Sequence, residues 1–155
     1  MVWLYRVLFL PIFLLQLPAY AYKGLKRGGL LEGLRQRFGG LPQLGPKRAG
    51  VERIWIQAVS VGELMSLRRF LAALQARRDV EIVLTLTTPA AHQIAKKNYA
   101  SQLAAVALFP IDFWFFSAWA WRRIDPDRVL LVDSELWPEH LHQAFIRKVP
   151  VFIIN

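Results

Sequence analysis

Hydrophobic and polar positions divide the chain into an almost continuously apolar start and a longer region of regular alternation. Beyond residue 50, five short apolar runs have the length and composition of buried strands. They cover residues 54–59, 81–86, 104–108, 128–132 and 151–154. Helical patterns separate these runs. Strands that alternate with helices are typical of an α/β domain, in which a parallel sheet is covered by helices on both faces.

The segments between the runs carry helix signals. Leucines at three- and four-residue steps give the first segment one apolar face: Leu64, Leu67, Leu71 and Leu74. Thr88 is a predicted helix cap, and Pro89 suits the first helical position, where no N–H is needed. Residues 113–123 and 138–148 are the other predicted helices. The aromatic cluster in the former could touch a membrane, but we favour packing on the sheet, because spanning a bilayer takes roughly 20 residues.

The apolar start has the features of a membrane anchor. Residues 1–22 carry one charge, Arg6, and a bilayer is spanned by a helix of roughly 20 apolar residues. Aromatic residues suited to the membrane interface lie at both ends: Trp3, Tyr5, Tyr20 and Tyr22. A basic cluster follows at once, which by the positive-inside rule keeps the rest of the chain in the cytoplasm. The alternative is a signal peptide cleaved after residues 19–21, against which the basic cluster argues.

Charge and cysteine content narrow the possible functions. The chain has no cysteine, which excludes a disulfide scaffold, thiolate metal sites and thiol catalysis. Its net charge is +9, but residues 23–53 hold eight basic and two acidic residues, so most of the excess lies next to the anchor. This distribution argues against a surface for nucleic acid and favours anionic lipid.

The segment between anchor and domain divides into an arm and a linker. Residues 24–38 show an amphipathic helical pattern, with Leu34 and Phe38 on the apolar face, which is typical of a helix lying on a membrane. Glycine and proline in residues 39–50 predict a linker. We therefore expect a membrane anchor over residues 1–22, a basic interfacial arm and linker over 23–50, and a globular domain over 51–155.

Open parallel sheets bind ligands at the carboxyl ends of their strands. The candidates at these ends are Ser60, Gly62 and Glu63, then Thr88 and Pro89, then Asp112, and finally Asp133, Glu135 and Trp137. Gly62 would allow a tight turn into the helix. Glu63 in a cleft could take a proton from a hydroxyl acceptor. Alternatively, Glu63 only stabilises the positive end of the helix dipole.

Other site chemistries fit the spacing less well. Asp133 and Glu135 resemble an acidic metal-binding pair near His140 and His142, but helix positions i and i+2 do not share a face, which argues against zinc. Ser60 has no histidine in its own loop, which argues against a serine hydrolase. No glycine-rich phosphate loop follows the first strand, which argues against ordinary nucleotide binding there.

Four segments in this order resemble the Kdo transferases, which add 3-deoxy-D-manno-octulosonic acid (Kdo) to a lipid A precursor. They are residues 56–63 (IQAVSVGE), 88–89 (TP), 109–112 (FPID) and 132–138 (VDSELWP). The apolar start, the RQRFG segment at residues 35–39 and the last residues are similar as well, so the likeness covers essentially the whole chain. The family usually has other residues at four positions: His at Gln57, Gly at Ala91, Glu at Asp133 and Asn at Glu139.

The resemblance implies a GT-B glycosyltransferase, in which two Rossmann-like halves face a cleft. This chain matches the N-terminal, acceptor-binding half. In the family the glutamate matching Glu63 is the base that deprotonates the acceptor hydroxyl, and the acidic residue matching Asp133 acts in the same cleft. The remaining candidates are expected to contact substrate. The donor is CMP-Kdo, and no metal or redox cofactor is implied.

The expected protein is an enzyme of lipopolysaccharide biosynthesis at the bacterial inner membrane, with its body in the cytoplasm. Its partners would be the lipid A precursor, anionic lipids and a C-terminal donor domain, and not nucleic acid. Residues 1–155 alone are expected to be inactive, because the donor contacts lie in that second domain. The rival interpretation is a non-catalytic, membrane-tethered α/β binding module, which would explain the altered motif positions.

Overall fold

A computed structural model describes residues 2–27, 30–42, 44–133 and 136–155 of the protein. The helices and strands of this part follow one another along the chain. They are α1 (Val2–Arg27), α2 (Leu30–Arg37), β1 (Glu52–Ala58), α3 (Val61–Ser66), α4 (Arg68–Gln75), β2 (Val80–Leu86), α5 (Pro89–Tyr99), β3 (Ala105–Leu108), α6 (Trp114–Ile124), β4 (Arg128–Val132), α7 (Pro138–Arg147) and β5 (Val151–Ile154).

The five strands form one sheet in the order β3-β2-β1-β4-β5, and every neighbouring pair is parallel. At its centre, Ile56 of β1 pairs with Leu84 of β2 and Leu130 of β4. The predicted parallel α/β sheet is therefore confirmed. Its strand order is consistent with a Rossmann-like sheet, in which the order reverses beside the first strand.

Helices cover both faces of the sheet. Successive side chains of a strand point to opposite faces, and apolar side chains on both faces pack against helices. On one side Ile54, Ile56 and Leu84 pack with Leu64 and Leu71 from the helices after β1. On the other side Trp55 and Leu131 pack with Trp121 of α6 and Ala144 of α7. The Trp55 and Trp121 rings meet edge to face, with centroids 5.2 Å apart, an arrangement that aromatic pairs prefer.

The first turns of α1 lie against this domain. Phe9 stacks on Phe113 with centroids 5.4 Å apart, and Tyr5 and Arg6 bond to side chains at the start of α7 and just before α6. Other α1 side chains face outward, as Leu15 does with 81% exposure. Among the described residues, no helix is both long enough and apolar enough to cross a membrane. The predicted transmembrane helix over residues 1–22 is therefore not confirmed.

Helix α2 docks on the sheet edge. The side chain of Gln36 is buried and accepts the Leu108 N–H at 2.7 Å. Phe38 packs on Phe116, with ring centroids 4.9 Å apart. Gly39 has a φ of 86°, and a Cβ there would come within 2.5 Å of the Phe116 carbonyl oxygen, so the close approach requires glycine. Phe38, which the helical pattern placed on the lipid side, is thus half-buried with its ring against α6, and its contact with lipid stays a prediction.

The aromatic residues of α6 divide between core and surface. Trp121 is buried against the sheet, so the predicted packing of this helix is confirmed. Trp114, Phe115 and Trp119 remain 41%, 57% and 47% exposed. They lie on the side of α6 away from the sheet core.

Candidate functional site

The strand order reverses at β1, which has β2 on one side and β4 on the other. The chain leaves β1 toward α3 on one face and leaves β4 toward α7 on the opposite face. Connections that diverge in this way open a crevice at the carboxyl edge, where ligands of such sheets bind. Among the described candidates, Ser60, Gly62 and Glu63 follow β1 and Asp133 follows β4, so they lie at this edge.

Ser60 and Glu63 form a reciprocal cap at the start of α3. Ser60 Oγ accepts the Glu63 N–H at 3.3 Å and donates to Glu63 Oε1 at 2.8 Å. The Val59 N–H donates to Glu63 Oε2 at 2.7 Å. This arrangement is close to a capping box, in which a glutamate reaches back to the start of its own helix. Both oxygens of Glu63 are thereby held in fixed positions at the end of β1.

Gly62 does not form the tight turn that its position after β1 suggested. It lies inside α3 and is not among the glycines with positive φ. A Cβ there would lie 3.7 Å from Ser60 Oγ, an ordinary contact. The turn into α3 therefore does not use the conformational freedom that Gly62 was predicted to provide. The residue is exposed in the first turn of α3, where it adds no side chain over Ser60.

Thr88 and Pro89 start α5 as predicted. Thr88 Oγ1 accepts the Ala91 N–H at 3.3 Å, and Pro89 occupies the first helical position. The Thr88 N–H donates to the Val59 carbonyl at 3.1 Å. This bond brings the starts of α3 and α5 together at the same edge, so Ser60, Glu63 and Thr88 are neighbours in one site.

Buried polar groups support this edge from within the sheet. Thr85 Oγ1 accepts the Trp55 indole N–H at 2.8 Å and donates to Gln57 Oε1 at 2.7 Å. Gln57 Nε2 then donates to Thr87 Oγ1 at 2.8 Å. Gln57, which stands where the Kdo transferases usually have His, is thus a bonded residue of the sheet, 1% exposed. Its amide links β1 to the loop before α5.

Asp112 is placed differently from the other candidates. It is 2% exposed, and its carboxylate accepts the N–H groups of Glu139 at 3.1 Å and His140 at 2.9 Å. The Tyr5 hydroxyl also donates to it, at 2.7 Å. Burial raises the pKa of Asp112 above its ordinary value, although these hydrogen bonds oppose the rise. Asp112 therefore caps α7 from a distance, and its expected substrate contact stays a prediction.

The residues after β4 have distinct positions. Asp133 is exposed, its N–H donates to the Ile154 carbonyl at 3.0 Å, and its φ is 57°. Asp tolerates this left-handed conformation better than most residues. Trp137 is half-buried, directly precedes α7, and packs on Phe109 with centroids 5.5 Å apart. Glu135 lies outside the described residues.

Sequence reasoning missed the ion pair between Arg6 and Glu139. The Arg6 guanidinium makes two 2.9 Å hydrogen bonds to the Glu139 carboxylate, which is 0% exposed. Burial alone would raise the pKa of Glu139, but Arg6 and the amide of Gln143 hold that pKa below its ordinary value. A glutamate after a helix-starting proline is an ordinary sequence feature. A partner 133 residues away leaves no local pattern.

His140 is a buried neutral residue. Its Nδ1 accepts the Trp121 indole N–H at 3.1 Å, so Nε2 carries the ring proton. Burial lowers the pKa of His140 from 6.5 to about 3, although the Pro110 carbonyl partly opposes this. In the part of the chain that the structure describes, no group of three or more His, Asp or Glu side chains could hold a metal ion.

Comparison with known proteins identifies the family of the chain. Residues 32–155 match the family model of 3-deoxy-D-manno-octulosonic-acid transferase (kdotransferase). The 3-deoxy-D-manno-octulosonic acid transferase of Haemophilus influenzae is 29% identical over 103 residues, which are 66% of this chain and 24% of that protein. The chain thus spans about a quarter of the length of this curated relative. Because the family model takes in the crevice residues and most of the chain, the protein belongs to the 3-deoxy-D-manno-octulosonic-acid transferase family, a family of glycosyltransferases.

Proposed function

We propose that the protein transfers Kdo from CMP-Kdo to a lipid A precursor, and that residues 1–155 form the acceptor-binding half of a GT-B glycosyltransferase. The observation that carries the proposal is the fixed carboxylate of Glu63 beside the crevice at the end of β1. Family membership supports the reaction class. The donor contacts would come from a second, C-terminal domain.

In this mechanism Glu63 removes the proton of the acceptor hydroxyl. Its two hydrogen bonds occupy two of the about four lone-pair positions of a carboxylate, so a further donor can bind. The acceptor oxygen then bonds to the anomeric carbon of Kdo, and the bond from that carbon to the CMP phosphate breaks. No metal or redox cofactor takes part in the proposed reaction.

Other crevice residues would bind or orient the acceptor. Asp133 is exposed and follows β4, the strand next to β1. It would therefore lie on the opposite side of the crevice from Glu63. Ser60 orients Glu63, while Gly62, Thr88 and Pro89 line the same edge. Trp137 adds an apolar surface on the α7 side. Glu135 completes the proposed set of contacts.

The proposal includes a membrane location, because the acceptor is a membrane lipid. Because Tyr5, Arg6 and Phe9 contact the domain, residues 1–22 would anchor the chain by inserting the outward apolar side of α1 into the cytoplasmic face of the bacterial inner membrane. Residues 23–50 would bind anionic lipids, with each Lys or Arg worth about 1 kcal/mol near the surface. The exposed apolar side chains of α1 support this membrane anchoring. The body of the protein would then face the cytoplasm.

The rival function is a non-catalytic, membrane-tethered α/β binding module. The cap geometry favours it, because a glutamate that bonds to Val59 and Ser60 already has a complete role in stabilising α3. The rival predicts that Glu63 matters to stability and not to any reaction.

The decisive variant is Glu63→Gln, made in the full-length product of the gene and assayed in membranes with radiolabelled CMP-Kdo and lipid A precursor. Transfer should fall by at least about 100-fold, as expected when a general base is lost. Glu52→Gln is the matched control, since Glu52 lies at the other end of β1 and pairs with Arg128. Near-normal transfer by the Glu63 variant would exclude Glu63 as the base. Acceptor binding without transfer by the unaltered protein would favour the rival.

A further inference from the structure

The start of α7 is held from outside the helix. Trp137 makes no side-chain cap, and Pro138 at the first position has no N–H. The next two amides, those of Glu139 and His140, donate to Asp112. The position of α7 and of Trp137 therefore depends on where the Asp112 carboxylate lies.

Two side chains of α1 hold the carboxylates of this junction. Tyr5 donates its hydroxyl to Asp112, and Arg6 makes a two-bond ion pair with Glu139. Arg6 is itself mostly covered, with 16% of its side chain exposed, and its guanidinium lies over the Trp3 ring at 4.9 Å. Without Arg6, a fully buried carboxylate would lie close to a second one, an arrangement that disfavours both charges.

We propose that Tyr5 and Arg6 are positioning residues for the acceptor site. They order the start of α7, and with it Trp137 at the crevice, so the docking of α1 determines how well the acceptor binds. This inference rests on the proposed function for its kinetic consequence. Its structural consequence, the order of α7, does not depend on any activity.

The kinetic test uses Arg6→Ala and Tyr5→Phe in the full-length product of the gene. The acceptor KM should rise by about 10- to 100-fold in the Arg6 variant, because only the fraction of molecules with an ordered start of α7 can then bind the acceptor. The donor KM should stay within about twofold of the unaltered value, since the donor contacts lie elsewhere. Tyr5→Phe removes only one hydroxyl and should give a smaller change in the same direction.

Arg77→Ala is the matched control. Arg77 also makes a two-bond pair, with Asp79, but that pair is exposed and lies before β2, at the opposite edge of the sheet. Its variant should leave both KM values unchanged. Equal effects of the Arg6 and Arg77 variants, or a loss confined to kcat, would overturn the proposal.

Hydrogen–deuterium exchange of the purified full-length product of the gene in detergent tests the structural consequence directly. In Arg6→Ala the amides of the first turn of α7 should lose protection, while those of α5 keep theirs. The charge-swapped double variant Arg6→Glu with Glu139→Arg should recover part of that protection, because it restores an ion pair. Unchanged exchange in α7 would overturn the inference even if transfer is observed. Altered exchange without any transfer would support it and reject only the proposed function.

Discussion

Asp133 combines a demanding backbone with an exposed carboxylate. Its φ of 57° lies in the left-handed region, which Asp and Asn adopt more readily than other non-glycine residues. The family's usual glutamate would restore side-chain length but would lose this conformational advantage. Substitutions at Asp133 can therefore separate the backbone requirement from the charge.

We expect Asp133→Asn to keep the stability of the protein while lowering transfer, because Asn suits the same backbone but carries no charge. Asp133→Ala should lower transfer equally and also cost about 1 kcal/mol, as left-handed backbone does for ordinary residues. Urea unfolding and the transfer assay measure the two effects. Full activity of the Asn variant would show that the carboxylate is not needed.

His140 makes the stability of the fold depend on pH. Its pKa is about 3 in the folded protein and close to 6.5 when unfolded, so between these values the unfolded chain binds a proton that the folded chain does not. Stability from this residue is therefore complete above pH 6.5 and is lost as the pH falls toward 3.

The expected loss is up to about 1.4 kcal/mol for each pH unit within that window. Urea unfolding at several pH values should show a shallower dependence for His140→Gln, which cannot titrate, than for the unaltered chain. His142→Gln, on the same helix but only half-buried, is the control. Parallel pH profiles for the His140 variant and the unaltered chain would contradict the assignment.

The two helices that start with proline are capped in different ways. Thr88 caps α5 from the adjacent position in the sequence, whereas α7 receives Asp112 from a connection more than 20 residues earlier. A local cap fixes one helix end. The distant cap also joins α7 to the β3–α6 connection and to α1, so it stabilises tertiary structure as well.

We therefore expect unequal costs of cap removal. Thr88→Ala should lower the free energy of unfolding by about 1 kcal/mol. Asp112→Ala should lower it by about 3 kcal/mol, because the Tyr5 hydroxyl and the α7 amides lose their acceptor within a buried site. Chemical denaturation of the two variants gives the comparison. Equal costs would mean that water replaces the Asp112 carboxylate at little expense.

At the scale of the whole molecule, apolar side chains remain at the β5 edge of the sheet. Phe152 and Ile153 of β5 are 46% and 55% exposed, and Phe145 of the neighbouring α7 is 80% exposed. An exposed apolar edge strand is a surface on which further chain can pair. The exposed apolar edge arises because every residue of β5 is apolar but two of its four side chains are not covered by other elements.

The 155-residue chain should self-associate through this edge, even in a mild detergent that covers the apolar side of α1. Ile153→Lys should reduce the association, because a charge on an edge strand opposes pairing. Phe70→Lys is the control, since Phe70 is 37% exposed on α4, on the other side of the sheet from α7. Sedimentation velocity over a range of concentrations measures the effect. Equal association of both variants would place the contact elsewhere.

The sequence by itself determined the elements and their class. Apolar runs and leucine spacing located the five strands and the helices, because the burial of one face imposes a period on the chain. The start of α5 at Thr88 and Pro89 could also be predicted from the sequence, since the residues that make a local cap are adjacent. Family motifs at the strand ends indicated the site residues from Ser60 to Trp137.

Only the tertiary structure decided which distant groups these polar residues contact. Asp112 belongs to the cap of α7, and Glu139 to an ion pair with Arg6, although both look like site residues or ordinary helix charges in the sequence. Phe38 and Gln36 similarly contact the sheet domain across a long stretch of sequence. Contacts between residues far apart in the chain depend on how the helices pack, and hydrogen bonds of that kind have no period or spacing that a single sequence can display.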